Sequence, residues 1–226
     1  GDMLVVYDYN KSKEITDRLN AQGYLAVLSL ATPEQFANEV AHMYRNGYKN
    51  VRFVGGNETP FIVSREELYP YDKFMKEDYV TNPALSQAMI ALFQETRKTS
   101  KVEAGAPEEA FTRMLKKREE EFVTALKNAE FMVPCVKTEN GEEIEISFQY
   151  LDVTEQIGSD NGEKVIAIPV FTDGFEMNKC YPGKTEDMLC TFDELVATVV
   201  ELGASGIIIN ALGISHYMSV KTLEAL

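Results

Sequence analysis

Residues 191–210 read TFDELVATVVELGASGIIIN, and their order dictates a helix followed by a buried strand. Thr191 supplies a capping hydroxyl and Glu194 a carboxylate three residues on, the pattern of a capping box. Leu195, Val196, Val199 and Leu202 then recur at helical spacing, so one face of that helix needs a core. Gly203 closes it, because a residue without Cβ accepts the left-handed conformation of a helix end. Ile207-Ile208-Ile209, ending at Asn210, has the unbroken apolar character of a strand covered on both faces. After a turn of small residues, Tyr217 to Val220 reads as its return, and Leu223 falls in a last helical fragment.

The same grammar recurs near the start of the chain. Thr32-Pro33-Glu34-Gln35 opens a helix with a capping hydroxyl, proline at the first helical position and Gln at the capping-box position. Phe36, Val40 and Met43 form its inner face and Gly47 ends it. Val51 to Val54 and Phe61 to Val63 are strands around Gly55-Gly56-Asn57, a turn sequence. Upstream, Leu4 to Tyr9 is a strand, Asn10 caps a helix through Gln22 bearing Ile15 and Leu19, Gly23 ends it, and Tyr24 to Leu30 is a second apolar strand. This first unit reads βαβαββ. Phe36–Gly47 and Phe192–Gly203 have equal spacing, and the later strands end at Ser64 and Ser219 with Leu68 and Leu223 four residues on. Val5-Val6-Tyr7-Asp8 also resembles Pro169-Val170-Phe171-Thr172. A duplicated strand-helix-strand-hairpin unit accounts for this pattern; the alternative is that any such unit yields these spacings.

Between the two lies a helical segment. Asn82-Pro83 opens a helix striped by Leu85, Met89 and Leu92. Lys98 to Pro107 has the polar, small composition of a linker. From Glu108 onward, Phe111, Leu115, Phe122, Leu126 and Ala129 share one helical face, with Glu108 and Glu109 favourably placed at the positive end of the dipole. Val133-Pro134 is expected to end this helix and begin a strand. Asn140-Gly141 marks a hairpin before Ile144 to Phe148, whose alternation suits a sheet with one wet face. Ser159 to Gly162 is a further turn, and Lys164 to Phe171 a strand whose Pro169 must avoid a central ladder position. The expected class is α+β, with mixed sheets flanked by helices. The expected domains are 1–76, a divergent α/β repeat, and 77–226, with a helical part at 82–130 and sheets with helices at 131–226.

Composition narrows the chemistry. The 226 residues carry 22 Lys+Arg against 36 Asp+Glu, a net charge of −14, which repels phosphate backbones and argues against nucleic-acid binding. The three cysteines, Cys135, Cys180 and Cys190, are too few and too scattered for a disulfide framework. No apolar run approaches the length of a membrane span and no signal-peptide pattern opens the chain, so a soluble cytoplasmic protein is expected. His42 and His216 stand without metal-ligand spacing, and no C-x-x-C occurs, so no metal and no cofactor is expected. Gly55-Gly56-Asn57 matches neither a dinucleotide fingerprint nor a P-loop. The Glu119-Glu120-Glu121 and Glu142-Glu143 runs read as solvated faces. Asp8 and Asp173 end apolar strands, where α/β sheets often place functional groups.

Three motifs resemble one known family: Phe131-Met132-Val133-Pro134, Ile168-Pro169-Val170-Phe171-Thr172-Asp173, and Gly206 to Gly213 (GIIINALG). Together they are similar to the N-terminal domain of the SseB, or enhanced serine sensitivity, family over about residues 81–226. The Asn82-Pro83-Ala84-Leu85 opening is also similar to that of some members. Two positions depart from the pattern: Ala211 stands where proline is usual, and the return strand begins His216-Tyr217. The resemblance implies a bacterial α+β domain without an established reaction. The leading expectation is therefore a non-enzymatic intracellular protein-interaction module with an unknown protein partner. The rival is a small-molecule-binding regulatory domain with a site at Phe171, Thr172, Asp173, Asn210 and Gly213, against which Asn210 could simply bond its own turn. An enzyme using a Cys or Asp nucleophile is a third reading.

Overall fold

A computed structural model describes residues 2–24, 32–55, 59–74, 79–99, 108–140, 143–158, 162–183 and 185–226. The expected strand at Tyr24 to Leu30, the Gly56-Asn57 turn, the Gly141 turn and the Ser159 to Asn161 turn fall wholly or mostly outside the described residues, as does most of the linker from Lys98 to Pro107. The chain divides into two compact units. One comprises Gly1–Asp78 with Pro83–Phe122, the other Tyr79–Asn82 with Val123–Leu226.

In the first unit, β1 (Asp2–Val6) leads to α1 (Tyr9–Ala21) and α2 (Pro33–Asn46), then β2 (Asn50–Val54), β3 (Phe61–Ser64), α3 (Arg65–Leu68), α4 (Tyr71–Phe74) and α5 (Pro83–Thr99). α6 (Glu108–Lys127) contributes its residues through Phe122. β1 runs parallel to β2, and β3 returns antiparallel, in the order β1-β2-β3. Val40, Met43 and Val51 form its core, with Phe36, Phe53 and Leu68 packed around them. Thr32 and Gln35 close the expected capping box, and Gly47 ends α2 at φ +73°. A Cβ at Gly47 would come within 2.5 Å of the Pro83 carbonyl, so glycine is required twice over. The expected Asn10 cap is corrected: Asp8 accepts from the backbone N–H groups of Asn10 and Lys11. A carboxylate two positions earlier satisfies the orphan donors, so the helix starts at Tyr9.

The second unit holds the class α+β, with a mixed and an antiparallel sheet. Its elements are β4 (Glu130–Asn140), β5 (Glu143–Phe148), β6 (Leu151–Asp152), α7 (Thr154–Ile157), β7 (Ile166–Val170), α8 (Gly174–Cys180), β8 (Asp187–Thr191), α9 (Phe192–Glu201), β9 (Gly206–Ile209), β10 (His216–Ser219) and α10 (Val220–Ala225). One sheet is ordered β10-β9-β7-β6, the other β5-β4-β8. β7 runs parallel to β9 and β10 antiparallel to it. This repeats the strand order and directions within the first unit. Ile168, Val170, Ile207 and Ile209 are fully buried, as are Leu195 and Val199 of α9.

The two sheets meet at one pair. Met132 and Phe171 exchange both backbone hydrogen bonds, at 3.0 and 2.9 Å. In an antiparallel ladder the next exchanging pair would be 134 with 169, and both are proline. Neither has an N–H, so the ladder stops there. β4 turns to β5 from Cys135 onward, while β7 pairs β6 at Ala167 and Ile166. Pro169 thus lies in a strand flanked on both sides, yet its missing donor faces the fork, which satisfies the sequence constraint. The reading of Val133-Pro134 as a helix end is corrected. α6 ends at Lys127, and Pro134 sits inside β4, where a strand changing partners tolerates it. At the other side of the bridge the Asn82 amide takes the place of a strand. It donates to the carbonyls of Glu130 and Thr172 and accepts from the Glu130 N–H, at 2.6, 2.8 and 3.1 Å.

Candidate functional site

The five candidate residues converge at the ends of the parallel strands β7 and β9. Phe171, Thr172 and Asp173 follow β7, and Asn210 and Gly213 follow β9. Asn210 sits at φ +50°, a left-handed conformation that Asn adopts more readily than most residues. That turn is closed by the N–H groups of Gly213 and Ser215, which both donate to the Asn210 carbonyl at 2.7 and 3.0 Å. The expected turn-closing role of Asn210 is therefore present, but through its backbone.

The Asn210 side chain reaches across to the neighbouring strand. Its Oδ1 accepts from the Thr172 N–H at 3.0 Å, and its Nδ2 donates to Thr172 Oγ1 at 2.9 Å. Thr172 Oγ1 in turn donates to Asp173 Oδ2 at 3.3 Å. The other oxygen, Asp173 Oδ1, accepts from the N–H groups of Phe175 and Glu176, each at 3.0 Å. Asp173 is the N-cap of α8, and Asp8 plays the same part for α1. Both acidic strand ends start helices. Phe171, Thr172, Asp173 and Asn210 are buried, and the Phe171 ring stands edge-on to Tyr181 at 6.0 Å. At Gly213 a Cβ would approach Glu176 Oε2 to 2.3 Å, so the turn packs directly on α8. The hub is a closed internal network, with its polar groups directed at one another.

A cleft of about 300 Å³ lies beside the hub, lined by Leu151, Val153, Gln156, Tyr181, Ala211 and Leu212 among others. Leu212, at the tip of the turn, is 65% exposed. Val153, Ala167 and Ile208 form the apolar floor under this face, with Leu151, Val165, Ala211 and Tyr217 packed on it. The sequence reading placed a site at the loops but missed this cleft. It depends on β6 and α7, which are too short to show a periodicity. α8 and β8 were likewise unread. The signal for α8 was present in Asp173-x-x-Glu176, an N-cap followed by a carboxylate three residues later.

The nucleophile candidates are quiet. Burial pushes the Cys190 thiol up to about 11, with Glu194 and Cys135 adding to the rise. Burial also raises Cys135 and, against the opposing Leu212 backbone N–H, Cys180. Thiols held above their ordinary range carry little thiolate at neutral pH. Burial pushes His216 below the ordinary imidazole value. His42 accepts from the Arg45 Nε at 3.3 Å. Among the described residues no three His, Cys, Asp or Glu side chains gather as a metal site would need, and no helix is long and apolar enough to cross a membrane.

The family model for the SseB protein N-terminal domain matches residues 108–220, half of the chain. The match runs from the first residue of α6 into α10 and includes all five hub residues. It does not reach Asn82. No curated protein and no solved structure gives a significant match.

Proposed function

The chain belongs to the SseB N-terminal-domain family, and from that premise we propose that it is a non-enzymatic, intracellular protein-interaction module. The observation that carries this reading is the contrast between hub and hairpin. The polar residues at the strand ends are turned inward on one another, whereas the β4–β5 hairpin holds apolar side chains out to solvent. Ile144 is 64% exposed, Val136 48% and Ile146 39%. Such large apolar side chains left exposed on a regular hairpin suit contact with another surface. The raised thiols and the buried Asp173 support the absence of a covalent nucleophile. The test is quantitative capture from a lysate of the source organism, with the tagged chain against a tag-only control. A reproducible partner near one-to-one stoichiometry is expected, and a blank removes the reading.

The cleft beside Ala211 and Leu212 favours a second reading, a small-molecule regulatory site. Its lining is largely apolar, with the Asp152 carboxylate, the Cys180 thiol, the Gln156 amide and the Tyr181 ring, the composition of a site for a small, partly apolar molecule. A metabolite panel read by thermal shift separates the two readings. A ligand that binds only the folded chain raises the midpoint with concentration.

A further inference from the structure

The hairpin that carries the proposed function also presents a strand edge that no described strand pairs. β5 lies at the end of the order β5-β4-β8, and no strand pairs its outer side among the described residues. Cys135 N–H donates to the Glu186 carbonyl, toward β8, so the alternate β4 residues Val136, Thr138 and Asn140 face β5. Their partners Ser147, Glu145 and Glu143 point back at them. It follows that Ile144, Ile146 and Phe148 direct their N–H and C=O groups outward, to the free edge. The register from Cys135–Phe148 to Asn140–Glu143 is unbroken, so there is no bulge, and β5 contains neither Pro nor Lys. Of the usual devices that blunt an edge, β5 has charged side chains alone, and both are acidic.

The charge around this edge is one-sided. Residues 137–145 contain Glu139, Glu142, Glu143 and Glu145 against Lys137 alone. The Lys137 ammonium is already held by the Asp187 carbonyl at 3.1 Å, on the side away from β5. Glu139 and Glu145 are exposed. A second copy of the chain would bring the same acidic hairpin against itself, between molecules that each carry −14. We infer that the outer edge of β5 takes an extended basic segment of a different protein, in which apolar residues alternate with Lys or Arg. The backbone of that segment pairs with residues 144, 146 and 148. Its apolar side chains cover Ile144 and Ile146, and its basic ones lie on the face of Glu145, a strand-addition mode of recognition.

This proposal rests on the interaction-module reading and adds to it the surface and the partner's chemistry. The purified chain is used to select from two displayed libraries of ten-residue segments, alternating apolar with Lys/Arg or apolar with Asp/Glu. Selected segments are then measured against Ile146→Pro, which removes one outward N–H, and Glu145→Lys, which reverses an exposed charge. Thermal midpoints check that both variants fold. The expected result is enrichment of the basic library alone, with affinity falling about tenfold in Ile146→Pro, as the loss of one hydrogen bond with an orphaned partner implies. Glu145→Lys, which cannot disturb a buried contact, should weaken basic segments as well. No enrichment, equal enrichment of the acidic library, or binding indifferent to both variants overturns the proposal. If that happens while the lysate still yields a stoichiometric partner, the module reading stands and only the edge is wrong. If the lysate is blank, the reading itself fails.

Discussion

Asn210 ties the ends of β7 and β9 together. It holds a left-handed backbone, closes its own turn and clamps Thr172 through both ends of its amide. Asn210→Ala leaves the buried Thr172 N–H unpaired and puts Ala at positive φ. Urea unfolding should show a loss of about 2–4 kcal/mol. Pro169 makes a second residue-scale prediction. Pro169→Ala introduces an N–H at a buried position facing the fork between β4 and β7, where the carbonyl in register, that of Pro134, already accepts from the Gln149 N–H at 3.3 Å. It should destabilise by about 1–3 kcal/mol, unlike an ordinary loop proline. The thiols give a third. Cys135 and Cys190 should resist alkylation in the native chain at pH 8 and react fully in denaturant, because burial both covers them and keeps them protonated. Fast modification of either in the folded state would contradict their placement.

At the scale of elements, the legible parts were those with strong local chemistry. The capping boxes of α2 and α9 were readable as Thr-x-x-Gln and Thr-x-x-Glu, and both are formed. The triple Ile of β9 was readable as an unbroken apolar run after a helix end, and the apolar stripe of α6 from its period. Elements of two to seven residues, β6, α7, α8 and β8, are shorter than a hydrophobic period needs, and their existence depends on partners distant in sequence. The site was legible in the same measure. Its five residues are gathered as expected, because strand ends in a parallel pair converge. What those residues do was not legible, since whether Asp173 meets a ligand or a helix N-terminus is decided by where α8 begins. Each capping box should be worth about 1 kcal/mol, so Thr191→Ala should lower the unfolding midpoint modestly. Glu194, held below the usual carboxylate range first by the Thr191 backbone N–H, makes this pH-dependent. Its contribution is present above the unfolded-state pKa and fades as pH falls through the lower folded value. Thr191→Ala keeps the backbone donor and removes the hydroxyl that also donates to Glu194 at 2.8 Å, so the hydroxyl's share of the difference from wild type should shrink in acid.

On the scale of the whole chain, each unit contains a parallel strand pair extended by an antiparallel third, a capped helix before the second strand, and a serine cap after the third. The net charge of −14, the inward-turned polar hub and the acidic strand edge are the features from which the interaction reading is proposed. His216 gives this unit a pH signature. Burial lowers its folded pKa, so between that value and 6.5 the unfolded chain binds more protons, and stability falls as pH drops through this window. His216→Gln should flatten that part of the profile. The most direct measurement of the central claim is stoichiometric capture from the source lysate, run in parallel with wild type, Ile146→Pro and a tag-only control. The account predicts one protein recovered near one-to-one with wild type and depleted with Ile146→Pro. A lane indistinguishable from the tag alone, together with a midpoint raised by a small metabolite, would contradict it and move the function to the cleft at Ala211 and Leu212.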